Sequence, residues 1–219
     1  LEESAKSHYL RDIYSSVVIK DIVKRNKLRD VDLLERIIAY VASNIGRTFS
    51  ANSIAAYFKS EKRTVAVDTI INYLNACEKA FLFHRISRMD IECKEILQIN
   101  EKYYLADHGL RQATYGNNQR DIELILENIV CLEMLRRGYK VSIGKNGTKE
   151  IDFVCDKDGK RIYIQVCYIM ASEKTEQREF GAYEDIKDNY PKYVLSMDEF
   201  DMSRDGIIHM NIRDFLLKV

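Results

Sequence analysis

The chain has 219 residues, 46% hydrophobic and 31% charged, with one Pro and nine Gly. That composition supports one large core or two smaller ones and excludes a long disordered or low-complexity tract. Lys+Arg and Asp+Glu both number 34, so bulk charge argues neither for nor against nucleic acid. Residues 1–112 carry 18 basic and 15 acidic side chains and the rest 16 and 19, short of a basic footprint. Cys77, Cys93, Cys131, Cys155 and Cys167 are odd in number and lack metal-ligand spacing, as expected of free thiols in a reducing compartment. LEESAKSHYL is no secretory start, and no apolar run reaches the ~20 residues a membrane span needs. A cytoplasmic protein without membrane contact is therefore expected. With no initiator Met and a helix-like beginning, the chain reads as a fragment of something longer.

In chain order, residues 5–28 place Leu10, Ile13, Val17, Ile22 and Val23 at helical spacing, predicting one or two helices. DVDLLERIIAYVASNIG stripes Leu33, Leu34, Ile37, Ile38 and Val41, with Gly46 where a C-cap would sit. FSANSIAAYFKS starts on Ser50 as N-cap. TVAVDTIINYLNACEKA turns Val67, Ile70, Ile71, Leu74 and Cys77 inward. Two strand-like runs follow, FLFHRISRM and EILQINEKYYLA, joined by DIECK. Three helices and a hairpin are the element order of a winged helix, with the third helix as the reading helix. Its candidate nucleic-acid contacts are Lys59, Lys62, Arg63, Asn72 and Lys79, with Asn75 beside them and Arg85, Arg88 and Lys94 near the wing. Glu61, Asp68 and Glu78 lie among them, so an ordinary solvated face is the alternative.

GNNQR at 116–120 has linker character. The expected organisation is a helical segment 1–29, a winged-helix-like domain 30–115 and an α/β domain 116–219. In the last, RDIELILENIVCLEMLRRGY is a helix closing on Gly138, with Arg136 and Arg137 where the helix dipole favours cations. YKVSIG is a strand, QREFGAYEDIKDN a helix, PKYVLSM a strand, and GIIHMNIRDFLLKV a strand and short helix.

The stretch KEIDFVCDKDGKRIYIQVCYIM reads as a hairpin turning at Asp158–Gly159. That register puts Asp152 opposite Gln165 and Glu150 opposite Cys167. Alternation then gives Ile151, Phe153, Cys155, Ile162, Ile164 and Val166 one apolar face, and Glu150, Asp152, Val154, Tyr163, Gln165 and Cys167 the other. Glu127 is an acid on a largely apolar helical stripe. Were its helix over the polar face, Glu127 and Asp152 with the Gln165 carbonyl would offer hard oxygen ligands to Mg²⁺ or Mn²⁺. The alternative is that both acids pair with Lys or Arg or cap backbone.

These residues resemble the PD-(D/E)XK nuclease-like superfamily: a helix with an acid, a strand, a hairpin carrying D-(x)n-(E/Q)-x-K, a helix and a strand. YLRDIYSSVVIKDIVKRNKLRD, YYLADHGLR, LENIVCLEMLRRGYKV, EIDFVC and YIQVCY are further similar to the C-terminal half of a prokaryotic group of AAA-type ATPases. There a winged-helix segment and a nuclease-like domain of unknown function follow the nucleotide-binding core. The resemblance implies α+β architecture, with a restriction-endonuclease-like α/β domain after the helical part. It implies that Glu127 and Asp152 match the first two acids, while Gln165 replaces the third and Cys167 the lysine. A thiol cannot stabilise developing phosphorane charge as a cation does, so a degenerate, non-cleaving module is expected, binding DNA or a partner protein. Lys149 taking over the lysine's role would instead give an active metal-dependent nuclease. A protein-interaction or oligomerisation module without a nucleic-acid role is the third reading. No cofactor is expected in this fragment beyond that metal. SIGKNGTK has the wrong glycine order for a phosphate cradle, so ATP would belong to a missing upstream domain, itself a partner. His8, His84, His108 and His209 are scattered and suggest no catalytic arrangement.

Overall fold

The computed structural model describes residues 3–116 and 121–218, so the expected linker at 116–120 lies, apart from Gly116, outside the described residues. The fold is mixed α+β with a large mixed sheet, and the chain divides into two compact units. Unit 1 holds residues 1–85 and 102–118, and unit 2 holds 86–101 and 119–219. The β2–β3 hairpin belongs to both: β2 (Phe83–Asp90) and β3 (Glu95–Leu105) begin and end in unit 1 and run their distal halves in unit 2.

In unit 1, α1 (Glu3–Ile13) runs through a π-helical stretch, Tyr14–Asp21, into α2 (Ile22–Asn26). There follow α3 (Val31–Ser43), β1 (Thr48–Phe49), α4 (Ala51–Ser60), α5 (Val67–Lys79) and, after the hairpin, α6 (His108–Tyr115). Local sequence explains the starts. The Asp30 carboxylate accepts from the Leu33 amide to open α3, and Ser50 with Ser53 forms a reciprocal capping box on α4. Leu33, Leu34, Ile37, Ile38 and Val41 are all buried, so the α3 stripe packs as its spacing requires. Two details differ from expectation. Asn44 caps α3, its side-chain amide donating to the Tyr40 carbonyl, and Gly46 lies two residues further on with φ 68°. On α5 Ile71 is exposed and Tyr73 takes the inward place, because the helix packs on a stripe through 70, 73, 74 and 77.

In unit 2, α7 (Ile122–Arg136) is followed by β4 (Lys140–Asn146), β5 (Lys149–Lys157), β6 (Lys160–Val166), α8 (Glu173–Gly181), β7 (Lys192–Ser196), β8 (Ile207–Asn211) and α9 (Ile212–Leu217). Gly138 (φ 80°) ends α7: its amide and that of Tyr139 bond to the Leu135 and Met134 carbonyls. The strands lie in the order β2-β4-β5-β6-β7-β8. β4, β5 and β6 are antiparallel, while β2–β4, β6–β7 and β7–β8 pair in parallel. α8 starts four residues earlier than the sequence suggested, because Ser172 caps the Thr175 amide, and it stops at Gly181 before a turn. No described helix is long and apolar enough to cross a membrane.

The β5–β6 register is the one the turn dictates: Phe153 faces Ile164 and Lys157 faces Lys160, with Asp158 (φ 50°) and Gly159 (φ 74°) both left-handed. Strict alternation, however, breaks at the start of β5. Across to β4, Ser142 faces Val154 but Gly144 faces Ile151, so three steps on β5 match two on β4. This bulge moves Ile151 off the face assigned to it. It joins the core cluster of Val154, Tyr163, Cys167, Met170, Phe180 and Tyr183. Gly144 makes this possible, because a Cβ there would meet side-chain atoms of Ile91, Ile151 and Val154 at 2.8–2.9 Å.

Candidate functional site

The bulge sits at a cleft of about 550 Å³ inside unit 2, lined by α7, the starts of β5, the end of β6, and α8. α8 covers the face that holds Tyr163 and Cys167, since its Phe180 shares their cluster. α7 contributes none of its buried residues to that cluster and packs across β4, β5 and β6 from the other face. Glu127 from α7, Asp152 from β5 and Gln165 from β6 all reach the cleft wall, so three of the four sequence-derived residues are brought together.

Asp152 and Gln165 both bond within the fold. With this register, Val166 would face Ile151 in an unbroken ladder. The bulge removes that partner, and the Val166 amide donates instead to Asp152 Oδ2 at 2.8 Å. The Asp152 amide in turn donates to Gln165 Oε1 at 2.6 Å. The acid and the amide thus clasp the two strands where backbone pairing lapses, since an unsatisfied buried N–H costs about 1–3 kcal/mol. One Asp152 oxygen thus accepts from backbone, the kind of contact the sequence offered as an alternative to a metal.

Gln165 continues the chain of bonds. Its Nε2 donates to Glu179 Oε2 at 3.2 Å, and Arg178 pairs with the other Glu179 oxygen at 2.6 Å. Glu179 is only 3% exposed, and burial raises its carboxyl above the usual range against the opposing pull of Arg178. Glu179 escaped the sequence reading. The signal was Ser172–Thr175 as a helix start, which phases α8 so that Glu179 and Phe180 both turn inward. Cys167 departs from expectation: it is fully buried in the apolar cluster, and does not line the cleft. Burial, then the negative charge of Glu179, push its thiol up and away from thiolate chemistry.

Lys149 stands at the rim, donating to the Gly181 carbonyl at 2.8 Å and to Glu184 at 2.9 Å. The cleft wall as a whole holds six carboxylates, Glu123, Glu127, Glu150, Asp152, Glu179 and Glu184, against Lys149 and Arg178. Among the described residues no group of three or more His, Cys, Asp or Glu is placed to hold a metal ion. Asp152 Oδ2 and Gln165 Oε1, two of the oxygens that a Mg²⁺ or Mn²⁺ would draw on here, each accept from a backbone amide.

The basic candidates divide differently. Arg63 is held by Asp30 at 2.6 Å and Asp32 at 2.5 Å, which lowers the Asp32 carboxyl. Arg85 pairs with Glu78, and Arg88, in unit 2, pairs with Glu150 at 3.6 Å. Lys59, Lys62, Asn72 and Lys79 stay exposed on unit 1.

Fold and cleft together define a mixed α+β chain of two units, one bearing free cations and the other an acid-lined, internally bonded cleft. The chain belongs to the family described as "Domain of unknown function (DUF8612)", whose model matches residues 1–121. An uncharacterized protein of Haemophilus influenzae is 35% identical over 218 residues, covering 99% of this chain and 54% of that protein. The uncharacterized protein MJ1544 of Methanocaldococcus jannaschii is 27% identical over 193 residues, or 85% of this chain and 42% of its own length. The chain thus spans about half the length of the curated relatives it matches. No solved structure matches it.

Proposed function

We propose that this chain is a non-catalytic C-terminal module of an AAA-type ATPase. In this reading unit 1 is winged-helix-like and contacts DNA, and unit 2 is a nuclease-like domain that has lost cleavage. Support for unit 1 is the order α3, α4, α5 and the β2–β3 hairpin. Support for unit 2 is the order α7, β4, β5, β6, α8, β7 with acids at the cleft. The relatives carry about as much chain again outside the matched part, where a nucleotide-binding core belongs in this reading, so ATP hydrolysis falls there.

One observation carries the loss of cleavage: Asp152 and Gln165 hold backbone amides while Cys167 lies in the core. A phosphodiester attack needs a cation beside the developing charge, and the cleft offers only Lys149 and Arg178, both tied to carboxylates. The test is incubation of supercoiled plasmid and labelled oligonucleotides with Mg²⁺ or Mn²⁺. No cleavage is expected. Nicking that depends on metal and disappears in Asp152→Ala would overturn the reading in favour of a working nuclease.

A further inference from the structure

Unit 1 contains a second built concavity, away from every residue the nuclease resemblance singles out. It is a groove of about 480 Å³ between the outward face of α5 and the loop that follows α2. One wall presents Thr69, Asn72, Asn75 and Lys79, spaced three and four apart so that they share one helical face. The other presents Lys27 and Arg29. No carboxylate lines it. Among the described residues Lys27, Arg29 and Lys79 also enter no ion pair, in contrast to Arg63, Arg85 and Arg88.

The groove is held in shape. Asp30 fixes the loop at its far side, its amide donating to the Tyr73 hydroxyl of α5 at 3.3 Å and its carboxylate capping α3 and binding Arg63. The acids that follow the loop, Asp30 and Asp32, are thereby turned to Arg63, and Glu78 of α5 pairs with Arg85. What remains is three free cations and two amides converging on one hollow. Phosphate oxygens take such donors, the cations giving affinity and the amides fixing position.

We infer that this groove is the seat of the nucleic-acid phosphate backbone, with Lys27 and Arg29 as contacts beside Lys79, Asn72 and Asn75. This rests on the reading that unit 1 contacts nucleic acid. It moves the interface from the Lys59–Arg63 end of α4 to the loop after α2.

Fluorescence anisotropy with labelled duplex and single-stranded 20-mers, in a salt series, tests it. The wild-type chain is compared with Lys27→Ala/Arg29→Ala and with Lys59→Ala/Lys62→Ala; all four side chains are exposed, and thermal melts confirm folding. Each phosphate contact contributes about 0.9 to the slope of log K against log salt. The loop variant should therefore lose about two units of slope, while the Lys59/Lys62 variant keeps the wild-type slope. A loop variant that binds like wild type overturns the groove but leaves the DNA reading standing. Absence of wild-type binding to either probe at low salt overturns both. Equal displacement by polyglutamate of matched charge would show a generic polyanion surface and also overturn the inference.

Discussion

The groove of unit 1 and the cleft of unit 2 are alike in size, about 480 and 550 Å³, and both are lined by polar side chains. They differ in what those side chains already do. In the cleft, Asp152, Gln165, Glu179, Arg178 and Lys149 bond to backbone amides, carbonyls or one another. In the groove, Lys27, Arg29 and Lys79 are uncommitted. A polar residue in a hollow is evidence for a ligand only to the extent that its hydrogen-bonding capacity is left over after folding. Committed groups should reveal themselves in stability, uncommitted ones in binding.

The largest expected effect is therefore at the clasp. Asp152→Ala leaves the Val166 amide without its acceptor and should lower stability by about 1–3 kcal/mol in urea unfolding. Asp152→Asn keeps a carbonyl oxygen and should cost less. An acid retained only for catalysis would show the opposite, with stability unchanged or improved on its removal. Gly144→Ala presses on the same bulge: a Cβ 2.8–2.9 Å from Ile91, Ile151 and Val154 should destabilise by about 1–3 kcal/mol through overpacking.

A pH titration sharpens the committed side. His209 is buried, and its Nδ1 accepts from the Met202 amide at 3.2 Å, so the ring is neutral with its proton on Nε2. That proton goes to Ser196 Oγ at 2.9 Å, and Ser196 donates to Asp198 at 2.7 Å. This order excludes His209 as a base for Ser196. Burial lowers the His209 pKa below 6.5. The unfolded chain then binds more protons than the folded one, so stability is complete above pH 6.5 and falls as pH drops below it. His84 and His108 are lowered by burial as well and act in the same direction. Urea midpoints at pH 7 and pH 5 should separate, and His209→Asn should narrow the gap.

Much of this molecule was legible in order along the chain. The hairpin register followed from Asp158–Gly159 because turn chemistry is local, and the Ser50 and Gly138 caps for the same reason. The α3 stripe packed as its spacing required. What was not legible depends on contacts between distant segments. The β5 bulge arises where Gly144 lets Ile151 approach Ile91, more than fifty residues earlier in the chain. It turns a pair of site-like residues into a clasp. The Ser172–Thr175 helix start turns Glu179 inward, but its bond to Gln165 lies across the fold and no local pattern shows it. The groove joins residues 27 and 29 to residues 69–79, and a helical pattern taken one segment at a time cannot show that pairing. Periodicity alone points Ile71 inward, whereas the stripe that packs runs through Tyr73.

The smallest expected effects test the contrast from the uncommitted side. Lys27→Ala and Arg29→Ala remove charges that hold nothing in the fold, so each should change stability by no more than about 0.5 kcal/mol. Arg63→Ala differs in kind, although Arg63 lies on the same unit and carries the same charge as Arg29. Its guanidinium joins Asp30 and Asp32, and Asp30 is also the N-cap of α3, so its loss frees two acids and slackens a helix start. Arg63→Ala should thus destabilise more than either loop variant while changing the salt slope of nucleic-acid binding little. The loop variants should do the reverse. If Arg63 governed binding and Lys27 and Arg29 governed stability, commitment within the fold would not distinguish ligand-facing residues from structural ones here. Thermal melts and anisotropy on the same three variants decide between these outcomes, because each variant is expected to move one readout and spare the other.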